Sequence, residues 1–257
     1  MRSISLAKII KNKSISREIF DLHLETDAAQ TAKMGQFVSV YTGNPAMLLP
    51  RPLSICEIDR ENNTLRIIYR VEGGGTRDIS RAQTGETLRI LAPLGNGFSI
   101  NSTHSSFAIV GGGIGVPPLL QLAKEIRAAN PVAHIAVYMG FRSDDHVILE
   151  TAFQKYADLV EISTDDGSYG RPGNAVQMLP QSPVDAVYGC GPKVMLRHLA
   201  AWAAKGNMPC FVSLEERMAC SIGACLACVT KIKRGDGEFN EKVCNVGPVF
   251  DAKELIW

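Results

Sequence analysis

The 257-residue chain is expected to fold as three consecutive units: an antiparallel β-barrel, a doubly wound parallel α/β sheet and a small cysteine-rich C-terminal unit. Three observations carry that expectation. Residues 1–100 hold six short β-branched or alternating runs separated by glycine and polar turns. Residues 101–210 alternate apolar strand runs with helical stretches, and residues 211–257 bring four cysteines close together. Composition is that of a globular chain, with 46% hydrophobic residues, and 27 basic against 26 acidic side chains leave a net charge of +1. That balance supplies no basic field for nucleic acid or an anionic membrane. The longest apolar stretch, Phe107 to Leu120, is too short and too rich in glycine to span a bilayer.

In the first unit the expected strands are Ile4–Ile10, Ile19–Glu25, Gln36–Tyr41, Leu53–Ile58, Thr64–Arg70 and Thr87–Leu91, several of them alternating as half-buried strands do. A helical turn is expected after Thr76, since Arg77-Asp78-Ile79-Ser80-Arg81 contains no breaker. Pro93-Leu-Gly-Asn-Gly97-Phe98 closes the unit and marks its boundary.

The pattern changes at Ser106. Phe107–Val110 reads as a buried strand, followed by Gly111-Gly-Gly-Ile-Gly115 and an amphipathic helix from Pro117 to about Ala129. Strand His134–Met139, helix Ile148–Tyr156, strand Leu159–Ser163, strand Ala186–Tyr188 and helix Lys193–Lys205 complete the alternation of a parallel sheet. The last 47 residues are too few for a self-sufficient core and need a staple. A hairpin is expected there, with Val229–Lys233 turning at Arg234-Gly-Asp-Gly237.

The staple is legible in Cys220, Cys225, Cys228 and Cys244. C-x4-C-x2-C with a fourth cysteine after fifteen intervening residues is the plant-type ligand spacing of a 2Fe-2S cluster. Three thiolates on one tight loop embrace one side of a cluster while the fourth returns from a later segment. Small and apolar residues between them let backbone N–H groups approach the sulfurs and exclude water. Structural zinc is the alternative, although an x4-then-x2 run is unusual for it. Met1 to Ile10 shows no apolar core of a secretory signal, so Cys56, Cys190 and Cys210 are expected as reduced thiols in a cytoplasmic protein. The five histidines are scattered and are expected to be structural or exposed.

Two further groups read as phosphate sites. Arg51-Pro52-Leu53-Ser54 opens one expected strand, and Ile68-Tyr69-Arg70 ends another just before Gly73-Gly-Gly75-Thr76. Arg51 and Arg70 can neutralise a pyrophosphate, while Gly75 and Thr76 offer donors at a helix start. Gly112, Gly113 and Gly115 lie between a strand and a helix, where glycine lets a phosphate approach, and Pro117 suits the first helical turn. The strict G-x-G-x-x-G pattern is not met, since Val116 occupies the last position. Asp144, Asp145, Asp165 and Asp166 oppose a 2′-phosphate and favour NAD over NADP, although Arg142 could meet one.

Together these motifs resemble the ferredoxin–NADP reductase superfamily. The resemblance implies that Arg51 contacts the FAD pyrophosphate, that Ser54 lies near flavin N5, and that Cys190-Gly191-Pro192 borders the nicotinamide ring, with Cys190 helping to position it for hydride transfer. Leu53 departs from the pattern, because an aromatic residue often stacks on the flavin at that position. Since flavin alone can exchange both hydride and single electrons, the implied order of carriers is cluster, FAD, NAD. No paired carboxylates or histidine constellation remain for an organic substrate, so the cluster must trade electrons with another protein. The loop Ile222 to Leu226 is the expected docking surface.

With Glu215-Glu216-Arg217-Met218-Ala219-Cys220 and Val243-Cys244-Asn245-Val246-Gly247-Pro248 added, nearly the whole chain resembles the electron-transfer subunits of type B dihydroorotate dehydrogenases. That resemblance implies a heterotetramer of two such subunits with two FMN-containing catalytic subunits. Electrons would pass from dihydroorotate to NAD+ in pyrimidine synthesis. Related flavin subunits of sulfide dehydrogenases, ferredoxin–NADP transhydrogenases and cytosolic hydrogenases are the alternative. A zinc-binding structural module would leave the Arg-x-x-Ser and Cys-Gly-Pro motifs unexplained.

Overall fold

The computed structural model describes residues 4–257; residues 1–3, with which the expected barrel range begins, lie outside the described residues. Six strands close a barrel in the order β1-β2-β5-β4-β3-β6: β1 (Ile4–Ser16), β2 (Ile19–Glu25), β3 (Phe37–Tyr41), β4 (Arg51–Asp59), β5 (Thr64–Arg70) and β6 (Thr87–Leu94). Strand alternation explains the barrel's two faces. Leu65, Ile67 and Tyr69 of β5 point into its core, whereas Ile68, with Ile19 and Cys56, points outward and is buried under the next unit. β1 runs six residues beyond its expected end because it pairs with β2 up to the turn, Ser16 opposite Ile19. The turn expected after Thr76 is a two-turn helix that starts earlier, α1 (Gly74–Arg81).

Next come β7 (Ser106–Gly112), α2 (Pro118–Ala129), β8 (His134–Phe141), α3 (Glu150–Phe153), β9 (Leu159–Thr164), β10 (Arg171–Pro172), β11 (Ala186–Cys190), α4 (Lys193–Lys205) and β12 (Cys210–Ser213). The sheet order is β10-β9-β8-β7-β11-β12, all parallel, so strand order reverses between β7 and β11. α3 is much shorter than Ile148–Tyr156 because Leu149, at φ 66°, holds a left-handed conformation that a helix cannot include. α2 lays Leu119, Leu122, Ala123 and Ile126 into the core beneath the barrel. Gln121 on the same helix accepts a hydrogen bond from the Ile58 N–H at 2.9 Å, and the Tyr188 hydroxyl donates to the Ser99 carbonyl at 2.8 Å. Barrel and sheet are thus joined by a common apolar core and by buried polar bonds.

The cysteine-rich segment forms the hairpin β13 (Val229–Arg234) and β14 (Gly237–Lys242), turning at Gly235 with φ 58°. Strand β15 (Val249–Asp251) then returns to the edge of the larger sheet, antiparallel to β12. Cys228, Ile232, Val243, Cys244, Phe250 and Leu255 are buried in one cluster with α4 and β12. Among the described residues no helix is long and apolar enough to cross a membrane.

Candidate functional site

A cleft of about 460 Å³ opens at the end of the barrel. Arg51, Pro52, Leu53 and Ser54 from the start of β4 line it, with Ile68, Tyr69 and Arg70 from the end of β5 and Thr76 from α1. Phe37 also borders it, though its ring and that of Tyr69 are buried, and Leu53 supplies an aliphatic surface. Gly75 does not line the cleft but makes room for Arg51: a Cβ there would stand 1.8 Å from Arg51 Nε. The guanidinium therefore lies across the N-terminus of α1, donating to the Leu49 carbonyl, with Met47 Sδ 3.7 Å away. Thr76 Oγ1 accepts from the N–H groups of Glu72 (3.0 Å) and Gly73 (3.2 Å) and so holds the turn that starts the helix. Arg70 is paired with Glu72 at 2.6 Å. A guanidinium over a helix N-terminus, with a glycine opened for it, fits a dinucleotide pyrophosphate.

A second cleft of about 230 Å³ lies outside the carboxyl ends of β7, β8 and β11, at the switch point of the sheet, where open α/β sheets bind ligands. Gly112, Gly113 and Pro192 line it, and a Cβ on Gly112 would meet Met195 Sδ at 2.7 Å and Pro192 Cδ at 2.9 Å. Arg142, His146 and Asp165 line it as well. His146 carried no motif, and only its place after β8 brings it here. Gly115 and Gly191 pack on each other instead, since a Cβ on Gly115 would fall 2.6 Å from the Gly191 Cα and from the Cys190 carbonyl carbon. Cys190 is fully buried behind them and lines neither cleft. Burial pushes its thiol up, Glu215 adds to the rise, and a hydrogen bond with Ser213 opposes it.

The two clefts share Arg70 and Ile114. The first cleft is also walled by Leu214, Glu215, Glu216, Arg217 and Met218, which lead into the cysteines, and by Pro248, which follows the last of them. Partial desolvation at the cleft raises the carboxyl of the otherwise exposed Glu215, with Arg70 lowering it and Glu72 raising it further. Asn96 ties the tail to the barrel. Its N–H donates to the Gly247 carbonyl at 2.6 Å, and its Nδ2 donates to the carbonyls of Asn245 (3.1 Å) and Val246 (2.9 Å).

The four cysteines converge as two pairs, Cys220 with Cys225 and Cys228 with Cys244, each pair within hydrogen-bond reach. Backbone N–H groups aim at the sulfurs: Gly223 to Cys244 at 3.1 Å, Ala224 to Cys220 at 3.3 Å and Cys244 to Cys228 at 3.4 Å. Burial raises the Cys220 thiol, but donors from Ile222, Cys225 and Ala224 outweigh it and bring it down to about 6. Ser221 is wholly buried in the same loop, and its hydroxyl has no partner among the described residues. Among those residues no three His, Cys, Asp or Glu side chains form a group that could hold a single metal ion. Four cysteines with N–H donors aimed at their sulfurs and an unpartnered buried hydroxyl beside them fit a two-iron cluster, whose sulfurs accept such donors.

Residues 215–256 match the family model described as the iron-sulfur cluster binding domain of dihydroorotate dehydrogenase B. Over 248 residues the chain is 37% identical to the dihydroorotate dehydrogenase B (NAD(+)) electron transfer subunit of Clostridium perfringens, covering 96% of each. It is 38% identical over 260 residues to the protein of that name from Streptococcus pneumoniae, covering 100% of both. The chain belongs to the electron transfer subunits of dihydroorotate dehydrogenase B. Like its relatives it is therefore an electron transfer subunit of an oxidoreductase. The fold agrees. An NADH-dependent reduced ferredoxin–NADP oxidoreductase studied for flavin-based electron bifurcation superposes with TM-score 0.85 at 26% identity, over 98% of this chain and 90% of that one. Phthalate dioxygenase reductase shares the fold with TM-score 0.64 at 20% identity, over 94% of each chain.

Proposed function

We propose that this chain carries electrons from an FMN-containing dihydroorotate dehydrogenase catalytic subunit, through a 2Fe-2S cluster and FAD, to NAD+, within a cytoplasmic heterotetramer of two plus two subunits. The observation that carries the reading is the position of the first cleft. It shares Arg70 and Ile114 with the second cleft, and the lead-in to the cysteines lines it as well. When bound, FAD exchanges hydride with a nicotinamide and single electrons with an iron-sulfur centre, so it belongs between them.

Each cofactor has its residues in this reading. Arg51, assisted by the N-terminus of α1 at Gly75 and Thr76, holds the FAD pyrophosphate. Arg70 exchanges Glu72 for it. Leu53 gives the flavin an apolar contact, the β5 segment at Ile68 and Tyr69 borders it, and Ser54 offers a hydroxyl at the cleft where β4 begins. Gly112, Gly113 and Gly115 bring the NAD pyrophosphate to the start of α2. Gly191 and Pro192 border the nicotinamide, and Cys190 supports them from beneath. Cys220, Cys225, Cys228 and Cys244 ligate the cluster, and Cys225 with the exposed Ile222 and Leu226 faces the catalytic subunit. The units carrying these sites are residues 1–100, 101–210 and 211–257. In the test, the purified chain is analysed for flavin, iron and acid-labile sulfide. FAD with iron and sulfide in the ratio of a two-iron cluster supports the reading, and a colourless, zinc-loaded protein overturns it.

A further inference from the structure

Ser221 combines three features. Its backbone sits at φ 62°, a left-handed conformation that glycine adopts freely and a serine does not. Its side chain is completely buried. Its hydroxyl has no hydrogen-bond partner among the described residues, although buried polar groups are almost always satisfied. The neighbouring donors are already in use: the N–H groups of Gly223 and Ala224 point at Cys244 Sγ and Cys220 Sγ. The hydroxyl of Ser221 is a further buried donor of the loop that wraps these sulfurs, without a partner among the described residues. A strained backbone around an orphaned donor is explained if the partner is a group that the four cysteines hold.

We infer that Ser221 donates its hydroxyl hydrogen bond to a sulfur of the bound cluster and thereby sets the cluster's reduction potential. The inference rests on the cysteines holding a 2Fe-2S centre. Reduction adds one electron and one negative charge to the cluster, and the hydroxyl keeps its proton, so no other reactant enters. A donor strengthens as its acceptor becomes more negative, so it stabilises the reduced form more than the oxidised one. The hydroxyl makes this chain's cluster a better electron acceptor from the catalytic subunit.

The test compares Ser221→Ala and Ser221→Gly with the unaltered chain, each carrying its cofactors. Iron, sulfide and flavin content are measured first. A wild-type chain without iron and sulfide would defeat the cluster reading itself, and with it this inference. With the cluster present, both variants should shift its midpoint potential to more negative values in an EPR-monitored redox titration. Both should also lose an exchangeable-proton coupling that the wild type shows after transfer to D2O. Only Ser221→Gly should melt at a higher temperature, because it alone relieves the left-handed strain. The two variants therefore separate the electronic role from the conformational one. Unchanged potentials and an unchanged proton coupling in both variants would overturn the assignment. Failure of both variants to assemble a cluster would overturn it too, by giving Ser221 an assembly role instead.

Discussion

Gly75 offers a substitution whose effects on flavin binding and on stability should run in opposite directions. An alanine there would bring its Cβ to 1.8 Å from Arg51 Nε, 2.1 Å from Cζ and 2.3 Å from Nη2. Ordinary separations are about 3.5 Å, so the guanidinium must retreat by roughly 1.7 Å. Arg51 is the flexible partner, so the side chain moves while the backbone stays. That displacement removes at least one charge-assisted bond to the FAD pyrophosphate, worth about 1.5–3 kcal/mol, or a roughly 10- to 150-fold loss of affinity. Alanine is also the better helix former by up to about 1 kcal/mol, so the protein without flavin should melt no lower than wild type. Flavin-fluorescence titration of the apoprotein gives the first quantity, and a thermal melt gives the second. An unchanged FAD affinity would refute the placement of the pyrophosphate beneath Arg51.

Three more outcomes are expected. Cys225→Ser should lose cluster absorbance and partner-linked turnover while NADH still bleaches the flavin; normal turnover in a reconstituted complex would break the proposed wiring. Asn96→Ala removes the two side-chain bonds to the carbonyls of Asn245 and Val246, about 1 kcal/mol or more together, so amide exchange across residues 245–247 should quicken by roughly 10-fold. Unaltered exchange there would mean that Asn96 does not clamp the tail. Asp185 Oδ2 accepts from the Ser105 N–H (2.8 Å), the Ser106 N–H (2.9 Å) and the Ser105 Oγ (3.0 Å); these bonds, the Ser105 backbone bond foremost, hold its carboxyl down to about 2. Because the folded value lies below an unfolded value near 3.9, its stabilisation is full above about pH 4 and fades as pH falls toward 2. Asp185→Ala should therefore cost about 1 kcal/mol near neutral pH after allowance for solvent screening, a deficit that shrinks in acid. Urea melts across that range would show it, and a deficit independent of pH would exclude the mechanism.

The barrel is legible because several of its strands alternate, and the parallel sheet because short, continuously apolar strand runs take turns with helical stretches. Ile19–Glu25, Thr64–Arg70 and Lys193–Lys205 match their expected bounds. β12 and β15, at four and three residues, are too short to show any period, and only pairing with each other and the sheet makes them strands. Local pattern also could not show that Leu149 would take a left-handed conformation and cut α3 to one turn. Of the candidate site, the spacing of glycines and arginines marked Arg51, Arg70, Gly112 and Gly113, which the fold places at the two clefts. The contributions of Ile114, Glu215 and Pro248 to the first cleft arise from packing between distant segments, which spacing does not encode. Cys190 shows the converse: its motif lies at a strand end beside the second cleft, yet the thiol turns into the core, Gly191 packs on Gly115, and only Pro192 lines the cleft.

The most direct test of electron transfer through this chain is an anaerobic titration of the complex with its catalytic subunit, followed by visible and EPR spectroscopy. Dihydroorotate should bleach flavin and cluster together, and NAD+ added afterwards should restore both while NADH forms. A cluster and flavin that stay oxidised with dihydroorotate, in a complex whose NADH-reduced flavin is fully competent, would contradict the account.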